Sequence, residues 1–131
     1  MATVIYLDSS AIVKLIIAEV GSDALRAWLE DRPRRAASAI ARTEVLRAVR
    51  PEGPAAIAAA RSILYAVDLV AIDDSILDAA ALLRPPTLRT LDAIHLATAL
   101  SIGEDLASLV TYDQRMIEGA TALGLPTASP A

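Results

Sequence analysis

"TVIYLDSSAIVKLIIAE", Thr3 to Glu19, changes its hydrophobic pattern at Asp8. Thr3 to Leu7 is a β-branched and apolar run suited to a buried strand. Asp8, Ser9 and Ser10 are residues that cap helix N-termini, and AIVKLIIAE continues at helical spacing as far as Gly21. A strand that feeds straight into a helix is the opening of a parallel β-α-β arrangement.

The rest of the chain repeats the alternation. SDALRAWLEDR reads as a helix capped by Ser22, with an acidic first turn and a stop at Pro33. RRAASAI is a short strand leading into ARTEVLRAVR, a helix with Val45, Leu46 and Val49 as its apolar stripe and Glu44 near its start. PEGP, at 51 to 54, breaks the chain before the alanine-rich helix AAIAAARSILYAV. DLVAI is the next strand, and DDSILDAAALL a helix stopped by Pro85 and Pro86. Thr90 can cap the helix LRTLDAIHLATAL, which runs to about Gly103. ASLVT is a strand, YDQRMIEGATALG a helix ended by Gly124, and Leu125-Pro126-Thr127 an edge strand. Apolar strands alternating with helices predict an α/β fold whose mostly parallel sheet is covered by helices.

A chain of 131 residues is one domain's length, so residues 1–131 are expected to form a single domain with one active site. It is 55% hydrophobic, yet no apolar run approaches the eighteen or so residues of a membrane span. The first residues lack a basic segment followed by a long apolar one, and cysteine is absent, which excludes disulfides and thiolate metal sites. A cytoplasmic protein without membrane contact is the expectation. Twelve basic against sixteen acidic residues give a net charge of −4, which argues against a nucleic-acid partner at first sight. Setting four acids aside at a metal ion would balance the remainder. Eleven of the basic residues are arginine, the better fork for phosphate.

Ligands of open α/β sheets bind beyond the carboxyl ends of the strands. Asp8 closes the first strand, and Asp113 follows the last long one by two residues. Glu44 and Asp92 stand in the first turns of apolar helices that can begin at the same edge. Each alone has a plain reading, as a cap or as an acid favoured by the positive end of a helix. Brought together, four acids would repel unless a cation bound them, and oxygen-only ligands suit Mg²⁺ or Mn²⁺. His95, three residues after Asp92, reads either as support for such a site or as a core imidazole bonded to a neighbour.

The ordered set "YLDSSAIVKL", "RTEVLRA", "LRTLDAIHLATAL" and "LVTYDQRM" resembles the PIN-domain ribonucleases, and most of all the VapC toxins of type II toxin–antitoxin pairs. The likeness runs from Val4 to about Pro126. It implies a three-layer α/β/α sandwich around a parallel sheet, and a Mg²⁺- or Mn²⁺-dependent endoribonuclease held inactive by a VapB-like antitoxin. Carried over by position, it makes Asp8, Glu44, Asp92 and Asp113 the catalytic and metal-binding acids, with Ser10, Thr111 and His95 in support. Gln114 departs from the many relatives that carry a further acid after the last one, which bears on a second metal position.

The chemistry that follows is hydrolysis of an RNA phosphodiester, with transfer or ribosomal RNA as the expected substrate and 5′-phosphate and 3′-hydroxyl ends as products. Arg89, Arg42 and Arg115 are the candidate RNA contacts. Arg34, Arg35, Arg47 and Arg50 could extend them into a band, although such spacing also marks an ordinary solvated helix face. Leu25, Trp28 and Leu29 form an amphipathic core stripe, and in the family early helices supply surfaces for a homodimer and for the antitoxin. Two alternatives have to be met. A receiver- or phosphatase-like phosphoryl-transfer domain also places Asp after parallel strands, but Asp8-Ser9-Ser10 lacks a second acid and the only lysine, Lys14, falls in the first helix. A non-catalytic PIN-like binding module is disfavoured by the presence of all four acids.

Overall fold

A computed structural model describes residues 1–131. The strands β1 (Val4–Leu7), β2 (Arg35–Ser38), β3 (Asp68–Val70), β4 (Leu106–Val110) and β5 (Thr127–Ala128) form one sheet in the order β3-β2-β1-β4-β5. Every pairing is parallel, so the mostly parallel sheet expected from the alternation is wholly parallel. The helices are α1 (Ser9–Ile16), α2 (Ser22–Leu29), α3 (Ala41–Val49), α4 (Pro54–Ala66), α5 (Asp74–Ala81), α6 (Thr90–Ile102) and α7 (Gln114–Ala122).

Side chains of a strand alternate between its two faces, and β1 uses that alternation to join two cores. Ile5 and Leu7 point into one, with Ile12, Leu25, Leu29, Val45 and Leu64 from α1 to α4. Tyr6 points into the other, with Leu96 and Ala99 of α6 and Met116 and Ala120 of α7. The sheet is therefore covered on both sides, in a three-layer α/β/α sandwich. β1 lies between β2 and β4, its partners on the two sides. The strand order changes direction at β1, and the crevice beyond β1 and β4 is where such folds bind ligands.

Several expected boundaries move, each for a local reason. Ser22 is the first residue of α2 and not its cap: Gly21 occupies that place at φ 90°, and the Ser22 hydroxyl instead donates to the carbonyl of Lys14 at 2.8 Å. Thr90 likewise begins α6, with Arg89 before it at the cap position. α5 stops at Ala81, before the two prolines are reached. The stripe Leu25, Trp28, Leu29 is core: Leu25 and Leu29 are buried, and the half-buried Trp28 ring lies under the Arg32 guanidinium at 4.1 Å. No helix is long and apolar enough to cross a membrane.

Two leucines, one in β4 and one just after α5, make a simple contrast. Leu109 is wholly buried and Leu82 is 84% exposed. In urea unfolding, Leu109→Ala should cost about 2–5 kcal/mol, whereas Leu82→Ala should stay within about 0.5 kcal/mol of the parent chain.

Candidate active site

Asp8 stands at the end of β1 and at the N-cap of α1, where its Oδ1 accepts from the Ala11 N–H at 3.0 Å. The Ser10 hydroxyl donates to the same oxygen at 2.7 Å, and the Thr111 hydroxyl, just past β4, donates to Oδ2. Asp8 is 3% exposed. Burial pushes its carboxyl above the usual range, against the pull of the bonds from Thr111, Ser10 and Ala11. A carboxylate has about four acceptor positions, so three donors leave one open. Ser10 and Thr111, the hydroxyls that the resemblance places in support, both bond this acid. Thr111 also accepts from the Asp113 N–H at 3.1 Å, which ties the last acid to the first.

Asp113 caps α7, accepting from the Arg115 N–H at 2.9 Å. Asp92, in the first turn of α6, is half-buried and makes neither a hydrogen bond nor an ion pair. Its carboxyl is pushed up by burial and by the charge of Asp113, while Arg115, His95 and Arg89 pull it down. The charge of Asp113 therefore opposes ionisation of Asp92, and no ion pair to Asp92 offsets it. That is the arrangement a cation would relieve.

Glu44 is held differently. Its Oε1 receives the Ser9 hydroxyl at 2.7 Å and lies 2.6 Å from Nε2 of His95. Burial raises the Glu44 carboxyl, but the hydrogen bonds and charge of His95, with the Ser9 bond, outweigh it and leave it below the usual range. His95 is 3% exposed, and its Nδ1 lies 2.6 Å from the Tyr6 hydroxyl. Burial holds the Tyr6 phenol far above its ordinary range, so it keeps its proton. In the neutral ring, the phenol donates to Nδ1 and Nε2–H donates to Glu44. His95 is thus both things its position allowed: a core imidazole with a neighbour on each side, and the strut behind one of the four acids.

The four acids are linked step by step: Asp8 and Asp113 share Thr111, the charge of Asp113 acts on Asp92, and Glu44 is held by His95. No three acid or histidine side chains stand close enough together to enclose an ion by themselves. Oxygen-only donors, one of them unpartnered, nonetheless fit a hard cation of the Mg²⁺ type. Such an ion keeps several waters and binds through one or two carboxylates.

The candidate RNA contacts separate. Arg89 and Arg115 line a 230 Å³ cleft with Asp92. Arg42 stands two residues from Glu44, on another face of α3, and shares a 510 Å³ groove with Arg61 and Tyr65. The wider arginine band does not form: Arg34 donates to the Thr3 hydroxyl, and Arg35 to the carbonyls of Arg32 and Leu29, at the opposite edge of the sheet. Sequence reasoning passed over Tyr6 and read Ser9 only as a capping or turn residue. Their signals were slight: Tyr6 is the one strand residue of β1 with a polar tip, and Ser9 follows Asp8 by one position.

The profile of the PIN domain matches residues 5–121. The chain is 52% identical over 126 residues to the protein named Ribonuclease VapC46 of Mycobacterium tuberculosis, covering 96% of this chain and 97% of that one. The crystal structure of Mycobacterium tuberculosis VapC20, titled a sarcin-ricin loop cleaving toxin, superposes with a TM-score of 0.75 at 20% identity, covering 96% of this chain and 99% of that one. A toxin–antitoxin complex from Klebsiella pneumoniae gives a TM-score of 0.73 at 24% identity, over 96% and 97%.

Two variants read this electrostatic design. Asp92 and Asp8 both have raised folded-state pKa values, so above their ordinary value of 3.8 the folded state holds more protons and stability falls as pH rises. For each acid the cost sets in above 3.8 and grows until the pH passes its raised folded-state pKa. Asp92→Asn should therefore melt at a higher temperature than the parent at pH 7, with the difference shrinking toward about pH 4; an equal or lower melting temperature at pH 7 would contradict the repulsion. His95→Ala should destabilise the chain by about 1–3 kcal/mol in urea unfolding, because the buried Tyr6 phenol loses its acceptor.

Proposed function

The chain belongs to the PIN-domain family, among the VapC ribonucleases, and from that premise we propose that the crevice beyond β1 and β4 is its RNA-cutting centre. It is an endoribonuclease toxin with an antitoxin as partner. PIN-domain ribonucleases are metal-dependent as a family. The observation that supports the assignment of the centre is the buried Asp8, bound by Ser10 and Thr111, with Thr111 also holding Asp113, whose charge acts on the unpartnered Asp92.

In this reading Asp8 and Asp92 would hold a Mg²⁺ or Mn²⁺ ion, with Glu44 and Asp113 completing its surroundings. When bound, such an ion lowers the pKa of water and stabilises developing charge on phosphate oxygens. The chain's own residues do the positioning. Ser10, Thr111 and the Ala11 N–H fix both oxygens of Asp8, and Ser9 and His95 fix Oε1 of Glu44. The substrate is a structured RNA of the transfer or ribosomal kind, cut to 5′-phosphate and 3′-hydroxyl ends. Residues 1–131 act as a single domain in the cytoplasm.

A homodimer and a VapB-like antitoxin have apolar surface to use. α5, α6 and the segment between them enclose a 730 Å³ groove with Leu77, Ala81, Leu82 and Leu83 in its walls, and Leu77 and Leu82 are exposed. This groove offers apolar surface beside that expected of the early helices.

Purified protein incubated with total RNA should cut only when Mg²⁺ or Mn²⁺ is supplied. Asp92→Asn should lose more than about 100-fold in rate, and Ser10→Ala and Thr111→Ala about 10–100-fold, as groups that orient a ligand do. Mapping the product ends checks the hydrolytic course. Cleavage in excess chelator, or by Asp92→Asn at the parent rate, would remove the metal-centred reading.

A further inference from the structure

Five of the twelve basic side chains are committed to protein partners. Lys14, Arg26 and Arg32 form ion pairs, and Arg34 and Arg35 bond to Thr3 and to carbonyls. The other seven, all arginine, form neither ion pairs nor side-chain hydrogen bonds, in a chain with sixteen acids to offer. Two of those seven, Arg89 and Arg115, stand in one cleft with Asp92.

The cleft is built by packing. Arg89 precedes α6, while Arg115 lies in the first turn of α7. Arg115, Glu118 and Gly119, at i, i+3 and i+4, share the α7 face that lines it. Gly119 sets how closely that face approaches. A Cβ there would stand 2.9 Å from Leu96 Cδ1 and 3.0 Å from Leu88 Cδ2, so a larger residue would press α7 away from α6 and from the segment before it. Thr87 adds a hydroxyl to the opposite wall. The charges of both arginines are felt at Asp92, yet neither guanidinium comes within ion-pair distance of it or of Glu118. Two planar forks lining one 230 Å³ cleft, uncommitted to any carboxylate, match the oxygens of a phosphodiester. The larger α5–α6 groove is mostly apolar and has no such pair.

We propose that the Arg89–Arg115 cleft is a subsite for the RNA backbone phosphate next to the one cleaved at Asp8 and Asp92, so that the substrate strand leaves the crevice along the α6–α7 side. This rests on the nuclease reading above. Glu118 and Asp92 both oppose an anion in the same cleft and set its limit: a phosphate is held only where both arginines reach it. Arg42, in its separate groove, takes no part.

The test measures binding without turnover. A 5′-fluorescein-labelled eight-nucleotide oligouridylate is titrated by fluorescence anisotropy against the full chain carrying Asp92→Asn, across a series of salt concentrations. In that background Arg89→Ala and Arg115→Ala should each weaken binding several-fold and each reduce the slope of log K against log salt by about 0.7, the value for one single-strand phosphate contact. Glu118→Gln should tighten binding, a gain that no misfolded chain would give. Arg50→Ala, beyond the far end of α3, should change neither quantity. Unchanged affinity and slope in the Arg89 and Arg115 variants, losses equal to that of Arg50→Ala, or no binding by any of the chains would overturn the subsite. The nuclease reading is judged apart, by cleavage in the parent chain. RNA cut normally by Arg89→Ala and Arg115→Ala sinks the subsite alone, while arginine-dependent binding with no cleavage by the parent sinks the nuclease and leaves the phosphate site standing.

Discussion

The carboxylate of Asp8 is the constraint on which the remaining structure depends. It sits at the end of the central strand, buried, and takes hydrogen bonds from the first turn of α1 and from the residue that follows β4. Those bonds join three elements at one point, yet they do not offset the cost of burial, and the acid stays above its usual pKa. The fold thus keeps a group that opposes its own stability. A structural cap could be had from an exposed serine, so the retained cost points to chemistry.

The neighbouring acids divide the same problem between two solutions. Glu44 is stabilised by His95 and Ser9 and is comfortable as an anion. Asp92 and Asp113 are left to repel, with Arg89 and Arg115 close enough to moderate Asp92 but not to neutralise it. The crevice therefore has a settled side, on the α3 flank of β1, and an unsettled side toward α7. The unsettled side is where a cation and an anionic strand have most to contribute.

Much of this was legible in the sequence, because it followed from order along the chain. Asp8 and Asp113 could be placed at strand ends from TVIYL and ASLVT, and the alternation gave the parallel sheet. Ser10 and Thr111 were legible because their partner lies close by in the motif or just past the adjacent strand. What could not be read depended on which way a side chain points across the sheet. Tyr6 looked like any core residue of β1; only the pairing of β1 beneath α6 makes it the partner of His95, 89 positions away. Thr90 and Ser22 were mistaken for caps, because good capping residues also stand one place inside a helix when Arg89 or Gly21 already turns the chain. The arginines followed the same rule: spacing grouped Arg34 and Arg35 with Arg42, and the sheet sent them to opposite edges.

The alternation of β1 has one more effect. Ile5 and Leu7 belong to one core and Tyr6 to the other, while Asp8 is the next residue along. A slip of one position in the pairing of β1 would turn every one of these side chains to the wrong face. Both cores would lose their centre, His95 its phenol and the crevice its buried acid in a single event. Misregistered chains are therefore unstable and, if the crevice is the cutting centre proposed above, inert as well. For a protein whose activity harms the cell that makes it, this is a form of quality control written into the strand: no half-folded product is left with a working blade.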